Sequence, residues 1–206
     1  PFFHMQSFGT THESSLHFPE SVVTNREVTT DPDSVNVPPY YPDTETFRVT
    51  LARYHDKISQ VDSQIGEVIE QLKADGLFDN TIIFYFGDHG GVLPGSKGYL
   101  YETGLHVPLI VHVPEKWKHL SPFGRGSRPV GFVSFIDFAP TVLKLAGIDT
   151  PTDMDGVPFL GDGITAEDVD KRDSAFGHAD RFDEKYDFCR SLRVGRYKYI
   201  RNFQQH

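Results

Sequence analysis

Cysteine is nearly absent, with one in 206 residues. A single thiol excludes an intramolecular disulfide framework and a thiolate zinc knuckle. Positive charge is also in deficit. The 20 Lys and Arg face 29 Asp and Glu, for a formal net charge of −9, and neutralising a nucleic acid backbone takes clustered cations. No basic block and no interleaving of aromatic with basic residues restores that possibility, so no nucleic acid partner is expected. No apolar run approaches a membrane span, and no charged-then-apolar leader opens the chain. What remains is an ordinary globular composition, 38% hydrophobic and 24% charged, enough for one large domain or one domain with a small appendage. The first eight residues and the last eight both look strand-like, and no initiator Met opens the chain. The sequence is therefore read as an internal piece of a longer protein, and its lack of a leader carries no information on compartment.

Residues 1–8 read as a short strand, and residues 9–43, rich in Thr, Ser, Pro and Asp, as a long loop. Loops of that length in compact domains are usually functional or disordered. Phe47, Leu51, Tyr54, Ile58, Val61, Ile65, Val68 and Leu72 then step by three and four, one face of a long amphipathic helix. Asp43 or Thr44 caps its start, and Gly76 closes it. The run at 81–86 suits a strand buried on both faces. Strand, helix and strand together predict a right-handed crossover joining two parallel strands. A further strand is expected at 109–113, another at 131–135, and a helix at 138–146 with Pro140 in its first turn and Gly147 as its stop. Residues 151–173 read as a surface linker, and 188–203 as an antiparallel hairpin about Val194-Gly195-Arg196. The fold class is α/β, with an antiparallel piece beginning near residue 174.

Open parallel sheets bind ligands just beyond the carboxyl ends of their strands. The strand at 81–86 runs out into Gly87-Asp88-His89-Gly90-Gly91, where a carboxylate and an imidazole flanked by glycine can approach a metal without steric cost. The expected strand at 1–8 brings His12 to the same edge. A plainer reading makes Asp88 a turn cap and His89 a solvated loop residue, and on these residues alone the two stand about level.

The stretch that follows shifts the balance. Lys97, then Tyr101-Glu102-Thr103-Gly104 and His106-Val107-Pro108-Leu109-Ile110-Val111, resembles the sulfatase family of the alkaline-phosphatase-like superfamily. There a strand ends in Asp-Asn-Gly or Asp-His-Gly, a Lys follows, and Tyr-Glu-x-Gly-x-Arg-Val-Pro-Leu-Ile leads into the next strand. Residues 2–14, 53–80, 136–147 with Asp155-Gly156, and 193–202 resemble further landmarks of that family in the family's order. The resemblance implies a mixed, mainly parallel sheet flanked by helices. It divides the chain into a C-terminal part of the catalytic domain at 1–150, a linker at 151–173, and the start of a small antiparallel subdomain at 174–206. It implies Asp88 and His89 as metal ligands, Lys97 as a catalytic residue binding the sulfate oxygens, and His12 as a contact to sulfate or the leaving oxygen that also serves as general acid. The plain alternatives are a solvated loop cation for Lys97 and a loop hydrogen bond for His12.

Two expected parts have no match here. The family takes an Asp-Asp pair from an early strand, and its nucleophile is a formylglycine made from Cys or Ser in Cys-x-Pro/Ala-x-Arg. Both belong upstream of these residues, so the chain by itself is expected to be inactive. Cys189-Arg190-Ser191-Leu192-Arg193 imitates that motif at its first and last positions, but lies after the metal pair on a hairpin strand, and Cys189 is read as a small strand residue. Calcium is the first choice of divalent metal, with manganese or another transition metal brought in by the imidazole of His89 where the family more often has Asn. His106, where the family often has Arg, is expected to support the loop. The implied activity is hydrolysis of a sulfate ester or sulfamate, on a sulfated small molecule or glycan. Alternatives are a metal-dependent phosphonate monoester or phosphodiester hydrolase on the same fold, and a non-catalytic glycan-binding or structural remnant. His17, His55, His112, His119 and His178 fit no ligand spacing. Tyr40-Tyr41 beside Pro38-Pro39, and Gly177-His178-Ala179-Asp180-Arg181, are weak candidates for sugar contacts. Family members are commonly exported to periplasm, lysosome or medium, which favours an exported protein here.

Overall fold

The computed structural model describes residues 2–182 and 184–204. It divides into two compact units, residues 1–76 and 77–206. The first is organised by a 30-residue helix, α2 (Glu45–Ala74), preceded by the short α1 (Glu20–Thr24) and two 3-10 turns. Thr44 caps α2, its hydroxyl accepting from the Phe47 amide at 3.3 Å. Gly76 follows with φ +67°, where a side chain would be strained. Val49, Leu51, Ala52 and Val61 are buried along the helix, and Val22 and Val35 are buried in the segment before it.

That segment is less loop-like than its composition suggests, because α2 supplies polar partners for its backbone. Asp56 accepts from the Thr29 and Thr30 amides at 2.8 and 2.9 Å and from the Thr30 hydroxyl at 2.7 Å. Arg53 donates to the Ser15 carbonyl at 2.9 Å and lies over the Phe18 ring. Arg26 bridges Asp33 and Glu45, and these two carboxylates hold its guanidinium pKa above its ordinary value. The strand expected at 1–8 is not formed: residues 2–8 carry no regular secondary structure, and residues 2–7 are exposed. An apolar, extended segment becomes a strand only when a neighbour pairs its backbone. Residues 2–8 therefore do not supply the first strand of the expected crossover.

In the second unit β1 (Ile83–Phe86) pairs antiparallel with β2 (Leu109–His112), in the register Ile83↔His112 to Phe86↔Leu109. Among the described residues both sheets are antiparallel, where a mainly parallel sheet was expected. Behind them α4 (Phe138–Leu145) carries Pro140 in its first turn, as anticipated, and the chain turns at Gly147 with φ +74°. Phe159, Leu160 and Val169 form a buried cluster against Phe84, Leu109, Val111 and Phe138. The stretch at 151–173, expected to run over the surface, thus contributes core side chains and a short helix, α5 (Ala166–Asp170). Buried Asp137 and Thr141 tie it down: Asp137 accepts from the Ser134 and Val157 amides at 2.9 and 2.8 Å, and Thr141 from the Phe159 amide at 3.1 Å.

The strand expected at 131–135 is also missing. The Phe132 amide donates to the Arg172 carbonyl and those of Val130 and Gly131 to the Asp170 carboxylate, so this backbone is satisfied by the end of α5 rather than by a ladder. The chain ends in a three-stranded antiparallel sheet, β3 (Ser174–Phe182), β4 (Lys185–Val194) and β5 (Tyr197–Asn202), in that order. It contains the expected hairpin, with Gly195 at φ +52° in the turn.

Candidate active site

The loop between β1 and β2 carries three of the four candidate residues. The short helix α3 (Glu102–Leu105) closes it, and its two limbs lie backbone against backbone. The Gly90 amide donates to the Gly104 carbonyl at 2.9 Å, and the Lys97 amide to the Gly91 carbonyl at 3.0 Å. A methyl group on Gly90 would stand 1.8 Å from the Thr103 carbonyl oxygen, so only glycine fits there. Ser96 donates through its hydroxyl to the Thr103 carbonyl at 2.7 Å, and Thr103 likewise to the Gly95 carbonyl at 2.8 Å. The loop is consequently a folded body that holds Asp88, His89 and Lys97 on one scaffold.

Asp88 presents its carboxylate to solvent, with 83% of the side chain accessible. His89 Nδ1 lies 2.8 Å from the Gly90 carbonyl oxygen, an acceptor, which puts the ring proton on Nδ1. Nε2 lies 3.6 Å from Asp88 Oδ2. An imidazole whose proton is tied to a backbone carbonyl is oriented as a metal-ligating histidine usually is. Asp88 and His89 therefore fit a divalent cation as two donors of a larger set. Among the described residues no group of three or more His, Cys, Asp or Glu side chains could hold a metal, so further ligands are required.

His12 lies in the first unit, with 51% of its side chain accessible. Its Nδ1 accepts from the Ser14 amide at 3.4 Å and lies 3.1 Å from the Ser14 hydroxyl, which puts the proton on Nε2, 3.1 Å from Glu13 Oε2. His106 is exposed at the end of α3, its amide bonded to the Glu102 carbonyl at 2.8 Å, so here its backbone supports the loop. Cys189 is buried in β4 and donates to Asp187 Oδ1 at 3.3 Å. Burial, and then the Asp187 carboxylate, push its thiol pKa up, the opposite of what a nucleophilic thiolate needs.

One charged group escaped the sequence reading. Glu102, at the start of α3, is paired with both Arg193 of β4 and Lys198 of β5. Burial raises the Glu102 carboxyl pKa, but the two cations outweigh it and hold the group below the usual carboxylate range. The signals were in view, Glu102 in the Tyr-Glu-x-Gly stretch and Lys198 in Tyr-Lys-Tyr, but they stand 96 positions apart.

The family model described as Sulfatase matches residues 1–148. The chain belongs to the sulfatase family. An ulvan-active sulfatase of Formosa agariphila is 40% identical over 169 residues, covering 82% of this chain and 27% of the relative. Human N-sulphoglucosamine sulphohydrolase is 31% identical over 122 residues, 59% of this chain and 23% of the relative. The chain thus spans about a quarter of the length of these curated relatives. A structure solved in complex with its substrate D-glucosamine-2-N,6-O-disulfate superposes with a TM-score of 0.66 at 23% identity, covering 91% of this chain and 37% of the other. A phosphonate monoester hydrolase from Silicibacter pomeroyi superposes at 0.61 with 22% identity, over 93% and 40%. These superpositions establish the alkaline-phosphatase-like sulfatase fold. No helix among the described residues is long and apolar enough to cross a membrane.

Proposed function

We propose that this chain is the part of a sulfuric ester hydrolase that carries one side of its metal and sulfate site, acting on a sulfate ester or sulfamate of a sugar. The observation that carries the reading is the Asp88–His89 pair: the Gly90 carbonyl anchors His89 through Nδ1 and turns Nε2 toward the Asp88 carboxylate, on the same folded loop as Lys97, in a chain of sulfatase descent. Asp88 and His89 would hold the metal, calcium first and manganese or another transition metal second, and the metal supplies positive charge against the sulfate oxygens. Lys97 binds the same oxygens as a point charge, and its backbone is fixed by the Gly91 carbonyl. His12, with an N–H at Nε2, would contact the sulfate or the leaving oxygen, and would serve as general acid there when its imidazole is doubly protonated. The formylglycine nucleophile and the remaining metal ligands belong to sequence upstream of these residues. The sheet of β3 to β5 is read as the start of the small C-terminal subdomain, and the relatives favour an exported protein.

The test is release of inorganic sulfate from an aryl sulfate and from N-sulfated glucosamine by the full-length gene product, with and without chelator. Loss of turnover on chelation, and a drop of about 100-fold or more in Lys97→Ala, are expected. Activity that survives both substitution and chelation refutes the reading. A second reading, phosphonate or phosphodiester hydrolysis, draws on His89, whose imidazole suits transition metals. Faster turnover of a phosphonate monoester than of the matched sulfate ester would select it.

A further inference from the structure

Arg193 and Lys198 stand directly opposite each other in the β4–β5 register. Partners across an antiparallel pair share a face of the sheet, and like charges there repel. Neither side chain is turned fully to water, since only 25% of the Arg193 and 15% of the Lys198 side chain is accessible. By itself this pair destabilises the hairpin. What offsets the repulsion comes from outside the sheet: the Glu102 carboxylate lies between them, one oxygen to each cation.

The same face receives the active-site loop in two other ways. Lys198 Nζ donates to the Leu100 carbonyl at 3.0 Å. Gly177 of β3, paired with Ser191 of β4, leaves room where a methyl group would stand 2.8 Å from Leu105 Cδ1 and 3.6 Å from Leu100 Cδ2. From there the contacts run on without a gap. The backbone of Gly104 is pressed against the carbonyls of Ser96 and Tyr99, the Gly104 carbonyl takes the Gly90 amide, and the Gly91 carbonyl takes the Lys97 amide.

We propose that Arg193 and Lys198 are positioning residues of the anion site: through Glu102 and the Leu100 carbonyl they clamp the 95–105 segment to the C-terminal sheet and so fix where Lys97 stands. The inference rests on the reading of Lys97 as the sulfate-binding cation and deepens it. The sheet is then part of the site's machinery although none of its residues touches the sulfate.

The experiment is titration of the full-length protein with inorganic sulfate, read as a dissociation constant. Glu102→Gln keeps the shape and removes the charge, and is expected to weaken sulfate binding about five-fold, the range typical of coupling through packed networks. In a Lys97→Met background the same substitution is expected to add nothing, because residual binding no longer depends on where residue 97 stands. An unchanged constant in Glu102→Gln, or an equal loss in both backgrounds, overturns the inference. Where Glu102→Gln does not fold, or Lys97→Met abolishes measurable binding, Arg193→Met and Lys198→Met decide: weakened sulfate binding in either supports the clamp, and wild-type binding in both overturns it. Should Lys97→Met itself bind sulfate as the unaltered protein does, the reading of the site fails first. A loss in Lys97→Met with none in Glu102→Gln removes only the clamp.

Discussion

The histidine pair shows how much an orienting partner changes a residue's chemistry. His12 and His89 both lie on loops, yet hydrogen bonding puts their protons on opposite nitrogens. The Ser14 amide makes Nδ1 of His12 an acceptor, while the Gly90 carbonyl makes Nδ1 of His89 a donor. The two rings are thus anchored through the same atom in opposite senses. In the full-length protein His89→Ala is therefore expected to weaken metal binding by about ten-fold or more, in the range seen when ligand geometry is lost, checked by titration with calcium and with manganese. Cys189 gives a second residue-scale prediction. Its buried, raised-pKa thiol is expected to resist iodoacetamide at neutral pH in the folded protein and to alkylate once the protein is unfolded, and rapid native labelling would refute this. Asp88, His89 and Lys97 were legible in the sequence because each declares its chemistry by type and stands near the others. Glu102 with Arg193 and Lys198 was not, because an ion cluster is a fact of distance in space.

At the scale of elements, success and failure separate cleanly by what stabilises each one. Helix α2 was read almost to its ends, since a 3.6-residue apolar period and a Thr cap are local properties. Thr44→Ala removes that cap and is expected to cost about 1 kcal/mol in chemical denaturation. The strands at 1–8 and 131–135 were misread because strandness depends on a partner, and in the second case Arg172 and Asp170 claimed the backbone first. The stretch at 151–173 looked like a linker because its many Asp, Gly and Pro residues hide three buried apolar ones, Phe159, Leu160 and Val169. Thr141→Val keeps the shape there but leaves the Phe159 amide without its acceptor, an expected loss of about 1–3 kcal/mol by the same measurement. The start of α5 adds a pH dependence. Lys171, then Thr165, holds the Asp168 carboxyl down to about 2. A carboxylate with a depressed folded pKa adds stability that is complete above its unfolded value and fades as pH falls through about 2. Asp168→Asn is therefore expected to flatten the acid limb of unfolding between about pH 4 and 2, with no change in its slope at neutral pH.

For the molecule as a whole, surface composition is informative. Phe2, Phe3, Met5, Ile110, Val130, Ile136 and Phe176 are all more than half exposed. Made as these 206 residues alone, the chain is expected to bind a hydrophobic dye and to sediment as more than a monomer. A dye-silent monomer would show that the exposed groups are too scattered to matter. The site loop has its own consequence, in time rather than in affinity. The Gly90 amide belongs to no strand, yet it bonds to the Gly104 carbonyl where the Thr103–Gly104 backbone packs directly against Gly90. Its proton should exchange with deuterated water on the slow scale of the sheets, not the fast scale of loops. That single amide would then report how often the segment opens: its protection measures the free energy that holds the two limbs of the site loop together.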